Sequence, residues 1–381
     1  MSLNHVVIGN GWSALSVVAE LYFKNEPITW ITGTGAHLYA PLSVLEPKAS
    51  EYLSSLLKKL EILDEEPEQG SYLREYKNKS FARPAWFKAQ TTELKKQTIE
   101  ESVWEPEKRA IPIAESRFSL DLATLEDRIR EKLSAMVGIK KIIGVPVKGF
   151  QFSGDHAEVL LASGESIAAQ KIYYADRWSL LTSLDGFPKS KNPTRHVTPM
   201  GVLQAQFTHS HSLVGADLHE VFTCIMHKDP GEEIMRSVWG YFCDEGKRSV
   251  WTVYLESEES LDNHTIAKKL RRLKQTLDRM FSSPEWLPKV DGVVVKDFLA
   301  TIQNEQVSFE EDFIFSGSFT KQSELPNAPV SLGDELVLLT DGFGPSVAFE
   351  ICSQVFLRSD SQNQAMNMTQ AVQSQGEGAT L

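Results

Sequence analysis

The chain has 381 residues, 41% of them hydrophobic and 24% charged, which is room for two domains with their own cores and an ordinary globular composition. Its formal net charge of −12 counts against a nucleic-acid partner, since neutralising phosphates takes a basic surface. No apolar run reaches the roughly 18 residues of a membrane span, and the opening Met1-Ser2-Leu3-Asn4-His5 has neither the basic nor the long apolar region of a secretory signal.

In chain order, His5 to Gly9 reads as a short apolar strand, about Ser13 to Lys24 as a helix and Ile28 to Thr32 as a second strand. Strand, glycine turn, helix and strand open a βαβ unit with a parallel sheet. Pro47 precedes an amphipathic helix with Leu53, Leu56, Leu57 and Leu60 on one side, ended by the acidic loop Asp64 to Glu68. The stretch from Gly70 to Pro112, with Trp86 and Trp104, fits no clear pattern. Leu122, Leu125, Ile129 and Leu133 mark another helix. A three-stranded meander is predicted next, over Ile142 to Phe152, Ala157 to Ala162 and Ser166 to Tyr174, punctuated by Ser-Gly turns.

From about Leu184 to Thr320 the pattern becomes mainly antiparallel. Strands are predicted over Gly201 to Thr208, Val221 to His227, Arg236 to Phe242, Ser249 to Leu255 and Val293 to Leu299. A long helix interrupts them, burying Ile266, Leu270, Leu273, Leu277 and Phe281. A buried strand, Leu336 to Thr340, then leads through Asp341-Gly342 into an apolar helix from about Ser346 to Leu357. The tail, 359–381, is rich in Gln, Ser, Asn and Gly and reads as disordered. Cys224, Cys243 and Cys352 are scattered and lack metal-ligand spacing, which predicts buried thiols in a reducing cytoplasm and no metal site.

The sharpest motif is Gly9-Asn10-Gly11-Trp12-Ser13-Ala14, read as G-x-G-x-x-A between a strand and a helix. Gly9 permits the tight turn, Gly11 lets a pyrophosphate approach the backbone, and Ala14 lets the helix lie close to the strand. The helix N-terminus then offers N–H groups and a positive dipole end to the anion. The second strand should end in an acid for a ribose hydroxyl. Thr32 stands there instead, a weaker partner than a carboxylate.

On these residues the chain resembles the FAD-dependent oxidoreductases of the amine oxidase and protoporphyrinogen oxidase type, whose architecture the Rab GDP-dissociation inhibitors share. Three stretches carry the resemblance: Val6 to Leu21, Ile139 to Ala175, and Val337 to Gly342. It implies an α/β Rossmann-like FAD-binding domain with a β-meander over 1–183 and 321–358, and a mainly antiparallel α+β substrate domain over 184–320. It also implies that Gly9 to Ala14 and Thr32 hold the ADP half and that Val147 makes backbone contacts to the adenine. Asp341-Gly342 would meet the ribityl chain, and the helix start near Gly344 and Val347 would face the flavin. The family's Arg-x-Gly-Gly after the second strand is absent, and Ala36 to Pro41 stands in its place.

Two readings remain. One is a flavoprotein oxidoreductase acting on a small molecule at the domain interface. The other is a non-catalytic binding protein on the same fold, favoured by Thr32 and the absent arginine segment. A nicotinamide-dependent dehydrogenase fits less well, because the meander and the terminal Asp-Gly are foreign to it. His196, His209, His211, His219 and His227 have no metal-ligand company, with His227 and Arg236 the candidates to face a flavin. Lys268, Lys269, Arg271, Arg272 and Lys274 read as a solvated helix face, and Arg83 with Trp86 as a packed pair.

Overall fold

The computed structural model describes residues 4–34, 36–41, 44–45, 47–62, 68–77, 80–82, 97–98, 109–119, 121–153, 156–187, 197–210, 220–226, 237–281, 288–301, 330–331, 336–338 and 352. The chain opens with β1 (His5–Ile8), α1 (Trp12–Phe23), β2 (Ile28–Thr32), β3 (Val44–Leu45) and α2 (Pro47–Lys59). Strands β4 (Glu68–Lys77), β5 (Ser80–Ala82), β6 (Gln97–Thr98) and β7 (Arg109–Ser119) precede α3 (Leu122–Ala135). Then come β8 (Ile139–Ile143), β9 (Val147–Ser153), β10 (His156–Leu161), β11 (Ser166–Ala169), β12 (Lys171–Tyr174) and α4 (Trp178–Ser183). The remainder is β13 (Val197–Thr208), β14 (Glu220–Ile225), β15 (Ser237–Cys243), β16 (Arg248–Glu256), α5 (Ser257–Leu261), α6 (Asn263–Met280), β17 (Lys289–Thr301), β18 (Val330–Ser331) and β19 (Leu336–Leu338).

The first sheet runs β18-β19-β12-β1-β2-β8. β1 pairs in parallel with β2 and β12, and β12 in parallel with β19. Parallel sheets are covered on both faces, so their strands read as unbroken apolar runs. Val6, Ile8, Ile31, Ile172 and Tyr174 face one way and pack on Phe150, Val159 and Ile167 of the meander. Val7, Trp30 and Tyr173 face the other way, towards α1 and α3. Every α1 residue from Trp12 to Ala19 is buried. Its small members, Ala14, Ser16 and Ala19, let it lie close to its neighbours.

Two predicted meander strands divide between sheets. The three-stranded sheet holds only β9, β10 and β11, while β8 and β12 belong to the parallel sheet. Gly144, with φ +73°, and Pro146 break the first run. Proline lacks the N–H that would carry a strand onward. The returning strand near the C-terminus joins the first sheet, as the resemblance implies.

The second sheet runs β17-β13-β16-β15-β14-β4-β7-β3. It takes strands from the stretch that sequence pattern leaves unassigned, with β4 parallel to β14. One face carries Leu203, Ala205, Phe207, Phe222, Val238, Trp251 and Val253 against Leu273, Leu277, Met280 and Phe281 of α6 and its end. The opposite face carries Met200, Val202, Trp239, Tyr254, Val294 and Phe298, which share a core with Trp12 and Leu15 of α1. The sheet is thus packed between α6 and the first layer system. Among the described residues no helix is long and apolar enough to cross a membrane.

Candidate functional site

β1 is central in its sheet, with β2 on one side and β12 on the other. Open α/β sheets take their ligands beyond the carboxyl ends of strands, where the order reverses. The glycine turn sits at that end. Gly9 has φ +128°, a conformation open to glycine. A Cβ on it would lie 2.9 Å from both the Cβ and the carbonyl oxygen of Ala175. Gly9 N donates to Ile31 O at 3.0 Å and Ala175 N donates to Ile8 O at 2.8 Å, so the turn is stitched to both flanking strands. Trp30 Nε1 donates to Gly9 O at 2.7 Å. Gly11 is the N-cap of α1 with extended backbone and brings no capping side chain of its own, and no acid lies in the first turn. Trp12, Ser13 and Ala14 are buried behind it.

Thr32 is only 7% exposed, and its carbonyl accepts from Gly144 N at 2.8 Å. Gly33 and Thr34, the next residues, are the exposed ones at this strand end. Val147 opens β9 half-buried, opposite Leu161. Asp341, Gly342 and Val347 lie outside the described residues, as do His196, His211, His219, His227, Arg236, Arg83 and Trp86.

The segment standing in for the arginine loop has its own supports. Gln204 on β13 brackets Tyr39, accepting from its N–H at 2.9 Å and donating to its carbonyl at 3.0 Å. Gln206 Nε2 donates to His37 O at 2.7 Å. β13 changes register with β17 after Gln206, and at Gly292 beside that shift a Cβ would lie 2.8 Å from the Cβ of Ala36. The loop therefore lies over the face of the second sheet, its backbone held by β13 side chains.

A charged cluster joins this loop to the glycine turn. Asp127 on α3 accepts from Tyr39 Oη at 2.9 Å, from Arg130 Nη1 at 2.8 Å and from Arg248 Nη1 on β16 at 3.0 Å, and His37 Nε2 lies 3.4 Å away. Burial alone would raise the Asp127 pKa, but His37, Arg130, Tyr39 and Arg248 outweigh it and hold it at about 2. Burial pushes His37 below the usual imidazole range and Tyr39 above the usual phenol range. Arg130 also bonds Glu126 Oε1 at 2.6 Å, and it reaches the Asn10 carbonyl through Nε at 3.2 Å and Nη2 at 2.9 Å. The Glu126–Arg130 spacing is visible in sequence as a helical ion pair. The contact to Asn10, 120 residues away, is not.

A second link crosses the crevice between the sheets. Asp176 and Arg177, just after β12, meet Lys296 and Asp297 of β17. Lys296 Nζ stands 3.7 Å from Asp176, and Arg177 Nε stands 3.4 Å from Asp297. Ser179 adds N–H and hydroxyl donors to Asp297, both at 2.8 Å. The two dipeptides carry opposite charge order, so each charge finds its counterpart.

Of the basic run on α6, Lys269 departs from a solvated face. It is buried and pairs with Glu259 at 3.1 Å, its stem lying along the protein while its ammonium meets the carboxylate. His209 is buried as well, with Nε2 2.8 Å from Ser249 Oγ. Among the described residues no three His, Cys, Asp or Glu side chains gather as metal ligands.

Together, the parallel sheet, meander and antiparallel sheet define a Rossmann-type two-sheet fold of the kind found in FAD-dependent oxidoreductases. No protein-family model matches the chain, and no curated protein matches it in sequence. Solved structures match in fold. Iminodiacetate oxidase from Chelativorans sp. BNC1 aligns over 91% of this chain and 92% of its own, with 13% identity and a TM-score of 0.55. Aklavinone-11 hydroxylase, in a complex with FAD and aklavinone, aligns over 92% of this chain and 60% of its own, with 13% identity and a TM-score of 0.53. The FAD-dependent oxidoreductase PA4991 from Pseudomonas aeruginosa aligns over 95% and 92%, with 11% identity and a TM-score of 0.51.

Proposed function

We propose that the chain binds FAD along the first sheet and acts as an oxidoreductase on a small molecule between the two sheets. The observation that carries this reading is the turn from Gly9 to Ala14. It leaves the central strand, lies against Ala175 where a Cβ would collide, and opens a helix whose N-cap is a glycine. Such a turn fits a pyrophosphate, because the backbone can be approached closely and first-turn N–H groups face the anion. The named neighbours that are FAD-dependent or hold FAD support the same cofactor. When bound, the flavin would supply the hydride chemistry, and the protein would supply orientation and electrostatics.

This chain's residues then have separable tasks. Gly9 and Gly11 would admit the pyrophosphate. Thr32 and Thr34 stand at the strand end where the ribose would lie. By the resemblance to the amine oxidase type, Asp341 with Gly342 would meet the ribityl chain and Val347 the flavin.

Thr32 in place of an acid favours a second reading, a binding protein that has lost flavin. An absorption spectrum of the purified protein, before and after adding FAD, separates the two. A flavin spectrum that stays with the protein through gel filtration is the expected result. A colourless protein that leaves added FAD in the small-molecule fraction overturns the oxidoreductase reading.

A further inference from the structure

The loop after β2 has no arginine, yet two guanidinium groups gather around it, from α3 and from β16. Arg130 alone also reaches the glycine turn. Its side chain is only 16% exposed, and Nε, Nη1 and Nη2 all have partners. Two of those nitrogens converge on the carbonyl of Asn10, the residue between the two turn glycines.

That carbonyl belongs to the same peptide unit as the N–H of Gly11. A peptide unit is planar and, with no cis bond in the described chain, its C=O and N–H point opposite ways. Holding Asn10 O towards α3 therefore aims Gly11 N–H away from α3. The same guanidinium also covers two carboxylates, Glu126 and Asp127, that would otherwise repel an anion near the turn.

We propose that Arg130 is the positioning residue of the anion turn: from α3 it fixes the Asn10–Gly11 peptide so that the Gly11 N–H faces a dinucleotide pyrophosphate. This rests on the FAD-binding reading above. Arg248 shares Asp127 with Arg130 but makes no bond to the turn, and so provides a matched control.

The test uses the full chain, with FAD and ADP as probes titrated by calorimetry. Lysine at 130 keeps the charge but cannot reproduce a fork that serves a carbonyl and two carboxylates at once. Arg130→Lys is expected to weaken both ligands about tenfold or more, a loss typical of a charge-assisted contact. Arg248→Lys is expected to leave ADP affinity within about twofold. In the ligand-free protein, the Gly11 amide resonance should shift in Arg130→Lys and not in Arg248→Lys. Should Arg130→Lys fail to fold, the pair Arg130→Met with Glu126→Gln removes charge and partner together and should show the same loss. Wild-type affinity in either Arg130 variant overturns the proposal, as does an equal loss in Arg248→Lys. A wild-type chain that binds neither probe overturns the FAD reading and this proposal with it.

Discussion

A buried imidazole at the end of β13 gives the molecule an acid-sensitive term. His209 follows β13, bonds Ser249 and lies 5.6 Å from the ring of Phe242. Burial lowers its pKa from 6.5 to about 4. As pH falls through 6.5 the unfolded chain takes up a proton before the folded chain does. The folded state therefore loses stability between pH 6.5 and about 4, and His209 adds no slope above that window. The full shift corresponds to at most about 3 kcal/mol. Burial lowers His5 and His37 as well, so the slope is shared. Urea unfolding at pH 7 and pH 4.5 should show a smaller stability difference for His209→Gln than for the parent; identical differences would reject the assignment. Nothing in the sequence marks His209 among the five histidines of its region. Its burial follows from β13 and β16 lying side by side, a pairing of positions some 40 residues apart.

At the scale of elements, the strand–turn–helix opening and α6 were legible because each carries its own period. Leu273, Leu277 and Phe281 are buried as their spacing predicts, with Ile266 and Leu270 at the margin. The strands β4 and β7 were not legible, since their partners lie far along the chain: β4 joins β14 about 150 residues on. Local pattern also cannot say which sheet receives a strand, so in sequence β8 and β12 merge with the meander. The site divides the same way. The turn glycines could be read from one short motif, whereas the Arg130–Asn10 bond and the Lys296–Asp176 pair exist only after folding. One packing position tests the α6 side of the large sheet. Gly240 on β15 faces Trp251, and a Cβ there would overlap the indole ring. Gly240→Ala should cost about 1–3 kcal/mol, the usual penalty of overpacking, read as a lower melting temperature; an unchanged Tm would mean that Trp251 yields freely.

At the scale of the molecule, the first sheet is assembled from distant parts of the chain: β1 at residues 5–8, β12 at 171–174 and β19 at 336–338. Cys352, buried in the same core as α1 and α2, stands 3.7 Å from Tyr52 Oη. A chain ending at residue 329 would leave the β12 edge without β19 and that core without Cys352. Open parallel edges recruit other chains. The truncated protein is expected in the insoluble fraction, or as aggregate on gel filtration, and a soluble monomer melting like the parent would show that the late strand is dispensable. The same arrangement bears on synthesis. A ribosome delivers the glycine turn well before β19, and the sheet that frames the turn cannot close until residues 336–338 emerge. Until then the nascent chain carries an unfinished edge, so its yield in a cell should depend on chaperone supply more than the finished protein's stability would suggest.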